Sequence, residues 1–195
     1  MTITKYIAFI IITIGILGCT KEPALKVYSL HTPSVNAVQN STYKRKSIKV
    51  TYPKSLKDEV SQKMHFSYSS IDSGNYQNSE WSNNMSKLLQ GTFIEVLDES
   101  KLFKVVLFDT STVREDYRLE SNIFAFEHRV RGDLSHAIVS IQFNLISIET
   151  GGMVQSKRFT YAEATPTIDA KGYVAATNVA VSKLSQDLLK WLKSN

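Results

Sequence analysis

The chain has one cysteine, Cys19, and it closes an uncharged, mostly apolar run that begins at Tyr6. A lone thiol has no disulfide partner within its own chain, so Cys19 must serve another chemistry. The other reactive types are scattered. The histidines are His31, His65, His128 and His136. His128 and His136 flank Gly132-Asp133 and could face each other across a hairpin, with Glu127 or Asp133 as a third metal ligand; the alternative is a pair of histidines on the solvent side of paired strands. Asp109-Thr110-Ser111 and Asp116 offer a nucleophile and a carboxylate, although turns use the same residue types. No Gly-x-Ser-x-Gly elbow, Walker loop, His-Glu-x-x-His pair or dinucleotide glycine fingerprint occurs in the sequence. No catalytic residue, metal ligand or cofactor is assigned, and the expectation is a protein that is not an enzyme.

The residues before Cys19 have the plan of a secretory signal: Lys5 in a short positive region, an apolar stretch, then Gly18 as a small residue at a cut. A transmembrane helix needs about 20 apolar residues, and this run stops too early, at Cys19-Thr20-Lys21-Glu22. Ile16-Leu17-Gly18-Cys19 resembles a bacterial lipobox, in which a diacylglycerol is attached to the cysteine sulfur and a signal peptidase that reads the preceding residues cuts before it. Ile16, Leu17 and Gly18 would be those recognition residues. Each buried methylene of an acyl chain contributes about 0.8 kcal/mol and one chain holds a protein only marginally, so stable anchoring takes at least two. The expected organisation is a signal peptide over residues 1–18, a lipidated tether over 19–24 and a folded domain over 25–195.

With 195 residues and 43% hydrophobic content, the chain can bury the core of one ordinary domain. Cleavage before Cys19 removes Lys5 and takes the net charge from +5 to +4. Much of the excess lies in Lys44, Arg45, Lys46, Lys49, Lys54 and Lys57, which meet no acid before Asp58. Such a strip suits anionic headgroups or an acidic partner, or else it is a strand edge guarded by lysines. Nucleic acid is not an expected partner outside the cytosol.

The elements that position these residues follow from periodicity. Leu25–Leu30 and Ser47–Tyr52 read as strands separated by a loop, and Pro53 ends the second. Met64, Phe66 and Tyr68 alternate with polar residues as in a half-buried strand, and residues 72–80 read as a turn. Trp81, Met85, Leu88, Leu89, Phe93, Val96 and Leu97 share one face of a long helix capped by Ser79 or Asn78. Gly91 inside it costs about 1 kcal/mol relative to Ala and suggests close approach of a neighbour. Lys104–Asp109 reads as a buried strand. Three alternating stretches, Tyr117–Arg131, Ser135–Glu149 and Met153–Glu163, are divided by Gly132-Asp133 and Thr150-Gly151-Gly152 and form an antiparallel meander. From about Ala170 a final amphipathic helix carries Tyr173, Ala180, Leu184, Leu188 and Trp191 inward. Counted by alternation, Phe124 and Phe126 share a strand face with Asn122 and His128, opposite Leu119, Ile123 and Ala125. A strand apolar on both faces is either doubly covered or part of an interface. The expected fold class is α+β, a two-layer sandwich of a mainly antiparallel sheet with two long amphipathic helices.

Several landmarks then agree in order. The lipobox cysteine precedes an aromatic-x-Leu strand, Tyr28-Ser29-Leu30. A strand closing on proline follows, Ile48-Lys49-Val50-Thr51-Tyr52-Pro53, then aromatics at Phe66 and Tyr68, and Tyr76 ahead of Trp81. In these residues the chain resembles the ABC-type transport auxiliary lipoproteins, the PqiC-like subunits associated with MCE-domain lipid-transport systems. The resemblance implies a TolB N-terminal-like α+β domain over 25–195 and a non-catalytic lipoprotein subunit of an envelope ABC transporter moving phospholipid or related lipids between membranes. Its implied partners are an MCE-domain substrate-binding protein, the ABC permease and ATPase, and the membrane through the lipid anchor. Thr20 after Cys19, rather than Asp, is similar to lipoproteins of the outer membrane facing the periplasm, with inner-membrane retention as the other location. Trp81, Phe124 and Phe126 are the candidate partner contacts. The competing expectation is an outer-membrane lipoprotein with an envelope-assembly or surface role and no transporter.

Overall fold

A computed structural model describes residues 23–55 and 61–194. The signal segment, Ile16, Leu17, Gly18, Cys19 and Lys57 lie outside the described residues. The elements run β1 (Lys26–Tyr28), β2 (Ser47–Val50), β3 (Lys54–Ser55), β4 (Lys63–Ser67), β5 (Ser73–Trp81), α1 (Met85–Ser100), β6 (Val105–Phe108), β7 (Tyr117–Arg131), β8 (Leu134–Ser147), β9 (Met153–Ala164) and α2 (Ala170–Lys193). The architecture is α+β: both helices pack on one face of a single sheet, and the core lies between the layers.

The long meander organises everything else. β7 pairs antiparallel with β8 from Tyr117 opposite Ser147 to Arg131 opposite Leu134, and β8 pairs antiparallel with β9. Ala137, Val139, Ile141, Phe143 and Leu145 of β8 are all fully buried under the helices, as alternation requires. Gly132 and Gly151 turn the hairpins at φ 58° and 67°, a left-handed region that a residue without Cβ enters freely. The other edge of β7 is covered by three short parallel strands in succession. β2 pairs beside Tyr117–Leu119, β3 beside Asn122 and Ile123, and β4 beside His128 and Arg129. β6 extends β2 in parallel, β5 extends β4 antiparallel, and β1 extends β5 in parallel. The sheet is therefore mixed, with most of its paired residues in the antiparallel meander.

Residues 73–81 form a strand rather than a turn. Their polar run reads as a loop, but β4 and β1 supply ladder partners on both edges, and the turn itself is confined to the residues between β4 and β5. A Cβ on Gly74 would stand 2.8 Å from the ring tip of Phe66 opposite it, so a larger residue there would displace that ring. Trp81 ends β5, and α1 starts only at Met85. Its cap is Asn84, whose side chain accepts from the Ser86 N–H at 2.9 Å, in place of Ser79 or Asn78. β6 is an outer strand of the sheet with Val105 and Phe108 exposed, not a buried strand. Gly91 has nothing within 4 Å of where a Cβ would stand, so no close approach calls for it.

Candidate functional site

Among the described residues, neither helix covers the other face of the sheet. Two register shifts shape it. In β7, Ile123 lies opposite Ile141 but Ala125 lies opposite Ser140, so Phe124 is an extra, unopposed residue. Before it the odd-numbered Leu119, Ser121 and Ile123 face the core; after it the even-numbered Phe126, His128 and Val130 do. Phe124 is left on the surface, 39% exposed, with the Arg158 guanidinium from β9 3.4 Å above its ring centre, a cation–π stack. A second shift, between Leu145 and Ile146, leaves Val154 of β9 in the same exposed position.

Around Phe124 the face is a polar ladder. Gln142 Nε2 donates to Asn144 Oδ1 at 3.2 Å and to Ser156 Oγ at 3.0 Å, Ser156 Oγ donates to Asn144 Oδ1 at 2.6 Å, and Ser140 and Thr160 share a bond at 2.8 Å. Such cross-strand bonds hold side chains in place without demanding cover from water. The result is a mostly polar surface with one aromatic–cation stack.

The three aromatic candidates therefore separate. Trp81 and Phe126, 1% and 2% exposed, pack edge to face with centroids 6.0 Å apart inside the core, and Trp81 also meets Tyr173 of α2. Neither ring is presented at the surface. Alternation counted straight through β7 places Phe124 and Phe126 together, and the bulge divides them.

His128 joins that core. It is fully buried and stacked between Tyr76 and Tyr173, with ring centroids 6.1 and 5.2 Å away, and its Nδ1 lies 2.6 Å from the Tyr76 hydroxyl. Among the described residues its Nε2 has no hydrogen-bond partner. Burial lowers the pKa of His128, with the nearby Asp169 pulling the other way, and burial pushes Tyr76 up to about 12. His128 sits opposite Ala137 while His136 sits opposite Arg129, so the two histidines face opposite sides of the sheet. Glu127 is paired with Arg129. Among the described residues no three histidine, cysteine, aspartate or glutamate side chains are grouped to hold a metal ion.

The basic strip is met in space by acids it does not meet in sequence. Lys49 reaches Glu115 Oε2 at 2.8 Å, and Arg118 closes on Glu115 Oε1 with two bonds of 2.6 and 2.9 Å. Burial alone would push the Glu115 carboxyl up; the Lys49 and Arg118 bonds overcome it and hold it at about 2. Asp116 accepts from the Ser47 N–H at 2.7 Å and Ser47 Oγ at 2.8 Å, which lowers its pKa, and Lys46 lies 3.3 Å away. Asp116 is thus a tie between β2 and the segment leading into β7. Ser111 Oγ accepts from the Val113 N–H at 3.3 Å and serves the turn. Lys44, Arg45 and Lys54 keep exposed positions. A groove of about 400 Å³ between residues 34–38 and the end of α2 has Val35, Val38 and Leu189 in its floor and Lys190 and Lys193 at its mouth.

Residues 28–188 match the family model described as ABC-type transport auxiliary lipoprotein component. No curated protein matches the chain. Among solved structures, a Xanthomonas campestris protein of the DUF330 family superposes with a TM-score of 0.75 at 18% identity, covering 85% of this chain and 94% of its own. An uncharacterized protein gives 0.68 at 13% identity over 87% and 99% of the two chains. A Chlamydia trachomatis hypothetical protein gives 0.52 at 6% identity over 76% and 96%. These likenesses are likenesses of fold.

Proposed function

The chain belongs to the ABC-type transport auxiliary lipoprotein component family, and from that premise we propose that it is a non-catalytic, lipid-anchored subunit of an MCE-type envelope transporter moving phospholipid or related lipids between membranes. The observation that carries this reading is the extent of the family match, which runs from the end of β1 into the last turns of α2 and so takes in nearly the whole described domain. ATP hydrolysis belongs to another subunit in this reading. The described polar residues suit that division: Glu115, Asp116 and His128 are each tied to neighbours within the fold.

Cys19 carries the acyl chains, with Ile16, Leu17 and Gly18 read by the signal peptidase, and Thr20 favours the outer membrane as the place of anchoring. The uncovered sheet face, with Phe124 and Arg158 at its centre, is the surface offered to the MCE protein or the permease. Two measurements test the proposal. Purification in mild detergent at native expression recovers an MCE-domain protein or its ATPase with this chain; repeated recovery of the chain alone counts against the transporter. A Cys19→Ala variant loses palmitate labelling and no longer sediments with membranes after a high-salt wash; retention of both removes the anchor.

A further inference from the structure

The entry of the chain into β1 and a set of exposed apolar side chains lie at the same end of the sheet. β1 runs parallel to β5, with Lys26 opposite Ser79 and Tyr28 opposite Trp81, so the chain comes into β1 from the side of Ser73, where the β4–β5 turn stands. β4 is parallel to β7, and Arg131 Nη1 donates to the Ser67 carbonyl at 3.2 Å, which sets that turn beside the Gly132-Asp133 hairpin. The Thr165 N–H donates to the Ser135 carbonyl at 3.0 Å, which brings the loop ahead of α2 alongside. These adjacent loops present Ile71 at 96% exposure, Leu134 at 68%, and Tyr68 and Ile168 at about half.

Tips of turns ordinarily carry polar residues, and neighbouring exposed apolar side chains mark a contact surface. These are not slack loops. Ser69 Oγ accepts from the N–H groups of Ile71 and Asp72 at 3.2 and 3.0 Å, and the Asp72 carbonyl accepts from Tyr68 and Ser69 at 2.8 and 3.2 Å. Asp169 caps α2 through the Gly172 N–H at 2.7 Å and accepts from Thr167 Oγ1 at 2.6 Å. A Cβ on Gly172 would stand 2.1 Å from the Thr167 carbonyl oxygen, so the loop holding Ile168 packs tightly against the first turn of α2. Side chains presented outward by ordered turns are available for insertion at little ordering cost.

Chain length supplies the occupant. Cys19 stands seven residues before Lys26, a reach of at most about 25 Å of extended chain. From Ser79, opposite Lys26, to Ser73, opposite the end of β4, is about 20 Å of strand. The level of these tips is therefore within reach of an acylated Cys19. The opposite end of the sheet gathers Arg114, Glu115, Asp116 and Glu149 around one cleft, with Val113 and Met153 exposed near it.

We infer that Ile71, Leu134, Ile168 and Tyr68 form a membrane-contact end that dips into the headgroup–acyl boundary, holding β7 along the bilayer normal and turning the uncovered sheet face sideways, toward a neighbouring subunit. This rests on the lipid anchor proposed at Cys19, and it adds an orientation that the anchor alone does not impose. The test uses the mature lipoprotein, acylated in its host, with spin labels on Ile71→Cys, Leu134→Cys or Val113→Cys, the last exposed at the opposite end. After reconstitution into phosphatidylethanolamine–phosphatidylglycerol vesicles, collisions with oxygen rise and collisions with a water-soluble nickel chelate fall at positions 71 and 134, and neither changes at 113. Floating vesicles that carry the protein with 71 and 134 still open to the chelate overturn the orientation and leave the anchor standing, as does immersion of 113. A protein that fails to float overturns the anchor reading, and the orientation with it.

Discussion

The Tyr76 hydroxyl lies 2.6 Å from Nδ1 of His128, joining the β4–β5 ribbon to the central strand in the interior of the domain. The imidazole is buried among rings with its Nε2 unpartnered, so the fold disfavours the imidazolium. The unfolded chain, with an ordinary histidine pKa of about 6.5, takes up the proton first. Stability contributed by neutral His128 is therefore fully present above about pH 6.5 and declines as the pH falls from there through the lower folded value. Thermal unfolding followed from about pH 8 to about pH 5 shows a steeper loss in the native protein than in His128→Phe, which keeps a ring between Tyr76 and Tyr173 but cannot titrate. Equal slopes would remove His128 from the acid response.

The Glu115 carboxylate has the opposite ordinary form. Held at about 2 by Lys49 and Arg118, it stabilises the fold above its usual range near 4.3 and loses that contribution as the pH falls toward its folded value. Glu115→Gln strands the largely buried Lys49 and costs roughly 3 kcal/mol in urea unfolding at neutral pH. A Glu115→Gln, Lys49→Met double variant recovers part of the loss, and strict additivity of the two single changes would show that the pair is not coupled.

Gly91 offers a gain. It stands in the middle of α1 with open space around its missing Cβ, so Gly91→Ala raises stability by roughly 0.5–1 kcal/mol through helix propensity alone. Calorimetry reads this as a higher Tm; a drop would mean that a neighbour packs where none is seen.

Phe124 and Trp81 answer differently to truncation. Trp81→Ala opens a cavity beneath Phe126 and Tyr173 and costs about 3–5 kcal/mol. Phe124→Ala lowers the unfolding free energy by only about 0.5–1 kcal/mol, the worth of an exposed stack with Arg158, and reduces recovery of the transporter partner in detergent pull-downs. Undiminished recovery with a stable Phe124→Ala protein would place the contact elsewhere.

The meander and the final helix were legible because their signals are local: strict alternation in β8, glycines at both hairpins and a 3.6-residue stripe in α2. β5 was not, because a strand supplied with partners on both edges can carry Asn75, Gln77 and Asn78 without any period-two apolar signal of its own. The helix start was misplaced by Trp81, which faces the core from the end of a strand at a spacing that also suits a helix. The charged strip looked unpaired because Glu115 and Asp116 follow Lys46 by some seventy residues and meet it only through the parallel pairing of β2 with β7. At the candidate face, the aromatic residues were visible as types, but one extra residue in β7 decided which of them faces water. No composition or period reports an insertion of that size.

That insertion has a further effect on how the chain finds its pairing. A strand of uniform alternation can slide by a step and exchange its two faces wholesale, whereas β7 has its two halves out of phase about Phe124. A slip that suited Leu119, Ser121 and Ile123 would push Phe126 and His128 into water and draw Glu127 and Arg129 under the helices. The odd residue works as a detent: it marks the one setting of the hairpin in which both halves of β7 turn their apolar side chains to the helices.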